Sequence, residues 1–429
     1  SNNGVFLSST RDGVRHIPFE EKNQKNNGIR LSGFGVAVAG LAGSGALLEG
    51  VDGVRDVRWT GGDASDNASV GLALNARLGV LASAAYGAMV PVGTPPADLR
   101  DVTVEVGTFH RNGRNTHIGS GHGIVLLGDR VDHLTAIGVE AHRNDDHGLF
   151  ISSLDEASSV VVSGGAFEGN DLNLDGVGAG VLVDAGGDLV GVTLDDARAH
   201  RNRVGVDLRA KGGDGRALLV RAGRFSANVD AGVSVDASED LVGVRLVSNE
   251  LLGNGIVLQA RERGRQLSVE DNVLRGEGET GTGLRLSVEG VTVLRNVIGH
   301  FSTGVLATRS RDIRLAFNNI VNNAAFGLDA MTVRRDRPLD AADNWWGDRA
   351  GPRSDGQLDG MGDRVRGAAK VLPFLDEAVV IEGVAQGHDG ACDANANDRI
   401  DDEEVLLCLS AVDSLDSALD LVGRWVRAR

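Results

Sequence analysis

Apolar and polar residues alternate with period two in short runs along this chain, and a Gly opens many of the runs. The clearest instance is residues 140–151, Glu-Ala-His-Arg-Asn-Asp-Asp-His-Gly-Leu-Phe-Ile. It reads as a strand, an Asn-containing corner, a Gly and a second strand. Aligned on that Gly, related segments start at Gly4, Gly28, Gly71, Gly123, Gly148, Gly180, Gly205, Gly232, Gly255, Gly283, Gly304 and Gly327. From Gly123 onward the steps range from 21 to 32 residues. A period of this size, with two or three short strands per turn, predicts a β-solenoid. The LxxLxLxxN pattern of leucine-rich repeats is absent, and the period-two alternation excludes helical repeats.

Successive strand residues face opposite sides, so the apolar positions one and three places after each Gly must point inward. Examples are Leu149 and Ile151, Val181 and Val183, and Val206 and Leu208. A second inward column lies three places before the corner Asn, at Phe109, Ala141, Phe167, Ala199, Phe225 and Leu251. Asn112, Asn144, Asn170, Asn202, Asn228 and Asn254 should form a corner ladder, each taking the left-handed bend and bonding its amide above and below. The steps from Gly28 to Gly71 and from Gly71 to Gly123 read as two turns each, and Pro91, Pro95 and Pro96 mark residues 89–98 as a loop leaving the coil. About 12–14 turns are expected.

Composition fits this reading. Sixty-one Gly against seven Pro, with 4% aromatics, suits many tight turns between stacked strands. A net charge of -17 argues against nucleic acid as a partner. No apolar run approaches the length needed to cross a bilayer. The chain opens on Ser1-Asn2-Asn3-Gly4, already a corner and strand, which implies a processed or truncated N-terminus, with which a signal peptide could have been lost.

After Ala330 the pattern changes to Asp343-Asn344-Trp345-Trp346-Gly347, then Gly351-Pro352, Gly360-Met361-Gly362-Asp363 and Pro373-Phe374. With the cassettes, this closing segment resembles right-handed parallel β-helix proteins of the pectin-lyase-like superfamily over residues 1–377. The resemblance implies an all-β, right-handed parallel β-helix. It leaves activity open, because that superfamily includes lyases, hydrolases, epimerases, adhesins and non-catalytic proteins. Trp345 and Trp346 are expected to cover the last exposed ladder.

Residues 378–429 form a separate tail, in which residues 393–404 carry oxygen ligands at the spacing of a calcium loop. The ligands would be Asp393, Asn395, Asn397, the Arg399 carbonyl, Asp401 and Glu404, with Ca2+ as the cofactor. Asp398 stands where such loops usually carry Gly, and residues 405–412 read as the exiting helix. The tail resembles a single EF-hand or half of a dockerin module. Cys392 and Cys408 flank the loop; in a secreted chain they would staple loop to helix, in a cytosolic one they would be buried thiols.

The outward positions two and four places after each Gly become polar in mid-chain, at Asp184, Asp207, Arg209, Ser234, Asp236, Gln259 and Arg285. Asp184, Arg209 and Asp236 fall on one column of successive turns. Carboxylates beside an Arg suit a cation and a uronate carboxylate, with Arg as base or charge stabiliser. The same column also reads as a salt-bridge ladder on a solvated face. Six of the ten His lie between His110 and His147. His122 and His147 should stack on adjacent turns, and His110, His142, Glu168 and His200 should share an outward column with metal-ligand chemistry. Duplication of one cassette explains them equally. His147 beneath Phe150 is the distinctive pair, with His147 a candidate catalytic group and Phe150, Gln259 and Arg285 candidate substrate contacts. Gly121-His122-Gly123 and Asp145-Asp146 occur in the wrong order for a pectin-type glycoside hydrolase, and no Asn-Thr-Asp partner exists.

The reading that follows is a secreted or cell-surface monomer that binds or processes an extracellular polysaccharide or cell-surface glycan, as a uronate lyase or epimerase if it is an enzyme. The alternative is a non-catalytic structural or adhesive stalk with a calcium-stabilised C-terminal module.

Overall fold

A computed structural model describes residues 5–9, 14–20, 29–30, 46–50, 54–60, 63–65, 70–76, 97–113, 121–171, 178–277, 280–308, 311–354 and 358–381. Every regular element among them is a strand, and nearly every pairing is parallel. The chain divides into two compact units, Ser1–Val244 with Ala260–Glu262, and Arg245–Gln259 with Arg263–Arg429. The architecture of each is that of a parallel β-solenoid.

In the first unit, one turn runs through three sheets. Leu149–Ser153 lies in the first, Ala157–Ser163 in the second and Ala166–Glu168 in the third. The next turn repeats them at Ala179–Ala185, Leu189–Val190 with Thr193–Asp195, and Arg198–His200. Register is strict: Leu149 opposes Ile124 on one side and Val181 on the other, and Phe167 lies between Ala141 and Ala199. The predicted inward columns are the core. Phe109, Ala141, Phe167, Ala199 and Phe225 are fully buried, as are Ile124, Leu149, Val181, Val206 and Val233.

Left-handed residues make the bends, and they form columns of their own. One column, Asp101, His133, Ser159, Gly191 and Ala217, kinks the second sheet. A second, Val106, Gly138, Gly164, Asp196 and Ala222, separates the second sheet from the third. A third, Arg111, Arg143, Gly169, Arg201 and Ala227, precedes the Asn corner. The left-handed residue is therefore the one before the Asn, not the Asn itself. The Asn turns its side chain inward, where the predicted ladder forms. Asn170 Oδ1 accepts from Asn144 N at 3.2 Å and Asn144 Nδ2 at 2.9 Å. Asn170 Nδ2 in turn donates to Asn202 Oδ1 at 3.0 Å and to the Ala141 carbonyl at 3.1 Å. Asn112, Asn144, Asn202 and Asn228 continue this pattern.

The ladder also explains the Gly that opens each strand. A Cβ on Gly148 would meet Gly180 O at 2.6 Å and Asn170 Nδ2 at 3.0 Å, and one on Gly180 would meet Gly205 O at 2.7 Å. No side chain fits beside the stacked amides.

Near the start, the pairing corrects the Gly alignment. Val5–Ser9 is in register with Ala46–Gly50, and that strand with Leu72–Asn75. Ala46–Gly50 is thus a first-sheet strand of a turn that the alignment passed over. Ile29–Arg30 lies on the other side of Val5–Ser9. Leu72 opposes Ile124 directly, so the strands that follow Gly71 and Gly123 are immediate neighbours rather than two turns apart.

The second unit has the same three-sheet turn, with Ile256 opposed to Leu284, Val293 to Leu315, and Ile298 to Ile320. Its amide ladder stands at a different corner. Asn249, Asn272, Asn296, Asn318 and Asn344 follow the left-handed residues Ser248, Asp271, Arg295, Phe317 and Asp343, between the second and third sheets. Asn344 ends it, donating to three backbone carbonyls. Trp346 is not an outer cover: it is fully buried, the largest side chain of the core. Trp345 packs on the outside against a cluster of Val297, Val321 and Ile381. The sheet edge beyond Gly362–Gly367 is taken by the hairpin of Pro352–Ser354 and Leu358–Asp359.

At the other corner of this unit Asp363 replaces a ladder Asn, accepting from Asn323 Nδ2 at 2.7 Å and from Asn323 N at 3.1 Å. Burial pushes its carboxyl up to about 7, the bonds from Asn323 opposing without cancelling it. The folded state then keeps a proton that the unfolded chain, titrating near ~4, has lost, so stability falls as pH rises from about 4 to about 7. Asp363→Asn, which keeps an acceptor without a charge, should remove this slope and stabilise the protein above pH 7 by roughly 1–3 kcal/mol. Denaturant midpoints across that pH range check it; identical profiles for both proteins would contradict it.

Candidate functional site

Outward positions of the first sheet carry the site. In the first unit one column runs Phe150, Leu182, Asp207, Ser234, and the next runs Ser152, Asp184, Arg209, Asp236. The predicted juxtaposition of Asp184, Arg209 and Asp236 on three successive turns is what the register shows. Asp207 and Arg209 are two places apart on Val204–Ala210 and are directly hydrogen-bonded through Oδ2 and a guanidinium nitrogen.

Asp207 is the anomaly of this face. Its side chain is only 4% exposed at a position that points away from the core, whereas that of Arg209 is 41% exposed. Its Oδ1 has no hydrogen-bond partner, nor has Asp184 Oδ1. Burial raises the Asp207 carboxyl above its ordinary range, reinforced by Asp184 and opposed by Arg209 and Ser234. Burial likewise raises Asp236, against Arg209 and Arg261. For Arg209, burial would lower the guanidinium, but Asp207, Asp184 and Asp236 outweigh it and hold it firmly charged. Lys211 Nζ reaches Asp184 Oδ2 at 2.7 Å. The result is a patch of three carboxylates around three cations, with two carboxylate oxygens buried and unpaired. Such a patch can bind a polar or charged ligand and can move a proton at a raised carboxyl.

Lys211, Ser234 and Arg261 complete the cluster, and Lys211 was legible as the outward continuation of 207 and 209 in a chain with four lysines. His147 is placed elsewhere. It sits at the start of the strands, stacked on His122 at 5.0 Å with rings nearly parallel, and both contact Phe150 at 5.2 Å. His122 Nδ1 accepts from His147 N, and His147 Nδ1 accepts from Ala179 N at 2.8 Å. The pair thus repeats the ladder principle with imidazoles, and burial takes the His122 pKa down to about 3, keeping that ring neutral. Phe150 packs against an outward-facing cluster of Val70, Ala73, Val125 and Leu127. Gln259 and Arg285 belong to the second unit, in different columns: Gln259 opposes Ser287, and Arg285 lies between Val257 and Leu306. Farther along, Asp329 is hydrogen-bonded to Arg366, whose guanidinium stacks 3.8 Å above Phe326.

The outward His column of the third sheet is also present, His142, Glu168 and His200 being in strict register. His110 stands beside His142, ring centroids 4.6 Å apart and nearly perpendicular. Burial and the adjacent His142 lower the His110 pKa, against the raising influence of Glu140 and Asp63. The calcium-loop positions Asp393, Asn395, Asn397, Arg399, Asp401 and Glu404, and Cys392 and Cys408, lie outside the described residues.

Comparison with known proteins finds no family model that matches the chain and no curated protein that matches its sequence.

The electrostatics of the patch can be checked by stability. Arg209→Ala leaves the Asp207 carboxylate buried without its cation and should cost about 2–4 kcal/mol at pH 7. Asp207→Asn, which removes the buried charge, should cost under about 1 kcal/mol, and adding it to Arg209→Ala should restore most of the loss. Equal costs for both single variants would contradict the assignment.

Proposed function

We propose that this protein engages an extracellular polysaccharide along the strand face bearing Asp184, Asp207, Arg209 and Asp236. The observation that carries the reading is Asp207: a carboxylate buried at an outward position, one oxygen unpaired, beside a charged Arg. A merely solvated salt-bridge ladder has no reason to desolvate a carboxylate. Parallel strands stacked at ~4.8 Å also offer a polymer a regular row of contacts. Uronate polymers fit the chemistry best. Arg209 and Lys211 supply cations for the uronate carboxylate, and the raised carboxyls of Asp207 and Asp236 supply proton transfer for lyase or epimerase action. Secretion to the cell exterior, and Ca2+ held by Asp393, Asn395, Asn397, the Arg399 carbonyl, Asp401 and Glu404, belong to the same reading.

A second reading, a non-catalytic surface stalk, is favoured by a different observation. Arg130–Asp155, Arg203–Asp230 and Arg221–Asp195 pair residues of adjacent turns along the first unit. Exposed pairs of this kind add little energy singly but tie turn to turn.

The test is binding and turnover on alginate, pectate and neutral glucans, with release of unsaturated ends as the lyase readout. Binding or turnover on a uronate polymer that falls at least about tenfold in Asp207→Ala and Arg209→Ala supports the proposal. Neither binding nor turnover on any polymer leaves the stalk. Calorimetric titration of the whole chain with calcium should show one site lost in Asp393→Ala and unaffected by Asp207→Ala.

A further inference from the structure

We infer that His110, His142 and Glu140 form a binding site for a divalent transition-metal ion of the zinc class, on the outer face of the third sheet. The three side chains come from two adjacent turns. Glu140 and His142 flank the inward Ala141 on one short strand, and so both point outward. Thr108 bridges to Glu140, which sets His110 beside His142 on the preceding turn. One ligand atom from each of the three residues falls within 4.8 Å of the others, a spread that side-chain rotation closes around a single ion.

Two details separate this cluster from a packed His pair. His110 Nε2 and His142 Nε2 are both buried and have no hydrogen-bond partner, although a buried ring nitrogen ordinarily has one. The other nitrogen of His142, Nδ1, faces Glu168 Oε2 at 3.5 Å. That is the arrangement in which a carboxylate orients a metal-binding imidazole and leaves Nε2 for the ion. His200, next but one in the same column, is occupied differently: its Nδ1 bonds the Ser226 hydroxyl at 2.7 Å and the Ser226 carbonyl at 3.0 Å. The site is thus confined to the turns where the orphaned nitrogens converge. Two imidazoles and one carboxylate select zinc, cobalt or nickel over calcium and magnesium, and leave a fourth coordination position for water or a ligand. Residues 393–404, with oxygen donors only, have the opposite preference.

The experiment is titration of the whole, chelator-treated chain with Co2+, followed by its visible d–d absorption, and with Zn2+, followed by thermal melting. The inference predicts one Co2+ per chain with a spectrum of low coordination number, displaced by Zn2+ and untouched by millimolar Ca2+. Zn2+ should raise the melting temperature. His110→Gln and His142→Gln should each abolish the spectrum, Glu168→Gln should weaken binding about 10- to 100-fold, and His200→Gln should leave it unchanged. Circular dichroism of the apo variants checks that they remain folded. The inference is overturned if no such spectrum appears, if Ca2+ displaces the Co2+, or if the two His variants bind as the parent does. None of these outcomes bears on the polysaccharide face, which lies on a different sheet.

Discussion

A buried side-chain amide has two donors and an acceptor with two lone pairs, and all must be filled inside a low-dielectric core. The rest of this structure depends on how that constraint is met. At each rung one Asn oxygen takes both the backbone N–H and the amide N–H of the turn before, while its own amide bonds the turn after and a backbone carbonyl. Only turns of matching register can satisfy such a chain of bonds. The left-handed residue before each Asn aims the side chain inward, and the Gly after the corner keeps the next strand clear of it. Turn length varies without breaking a rung: 32 residues separate Asn112 from Asn144, and 26 separate Asn144 from Asn170.

Function, on this account, appears where outward positions depart from the solvated alternation that the fold permits. The face around Asp207 departs by burying a carboxylate beside Arg209. The third sheet departs at His110 and His142, whose ring nitrogens are buried without partners. A third departure is apolar, the buried outward cluster of Val70, Ala73, Val125 and Leu127 under Phe150. At Arg130–Asp155, Arg203–Asp230 and Arg221–Asp195, by contrast, the outward residues pair across turns at the surface. Fold and candidate site therefore rest on different residues of the same strands, so substitutions at 207 or 142 leave the inward columns intact.

Much of this was legible in the chain itself. Period-two alternation after Gly located the inward columns because the physical cause, one buried face per strand, acts identically in every turn. The alignment of Asp184, Arg209 and Asp236 followed from the same count. What escaped has definite reasons. No Asn precedes the strand Ala46–Gly50 closely in the sequence, so a cassette defined by Asn passes it over. The ladder from Asn249 to Asn344 stands at another corner, which a cassette aligned on a single Asn per turn does not follow. The burial of Asp207 and the pairing of Lys211 with Asp184 depend on side chains meeting across turns, which no spacing rule encodes.

The amide ladder is the central claim, and Asn202→Ala tests it most directly. This change removes the acceptor of Asn170 N and Nδ2 and the donor to the Phe167 carbonyl and to Asn228. Denaturant unfolding should show a loss of about 3 kcal/mol or more, since several buried polar groups lose their partners at once. A loss under about 1 kcal/mol, the size of an ordinary surface substitution, would contradict the account.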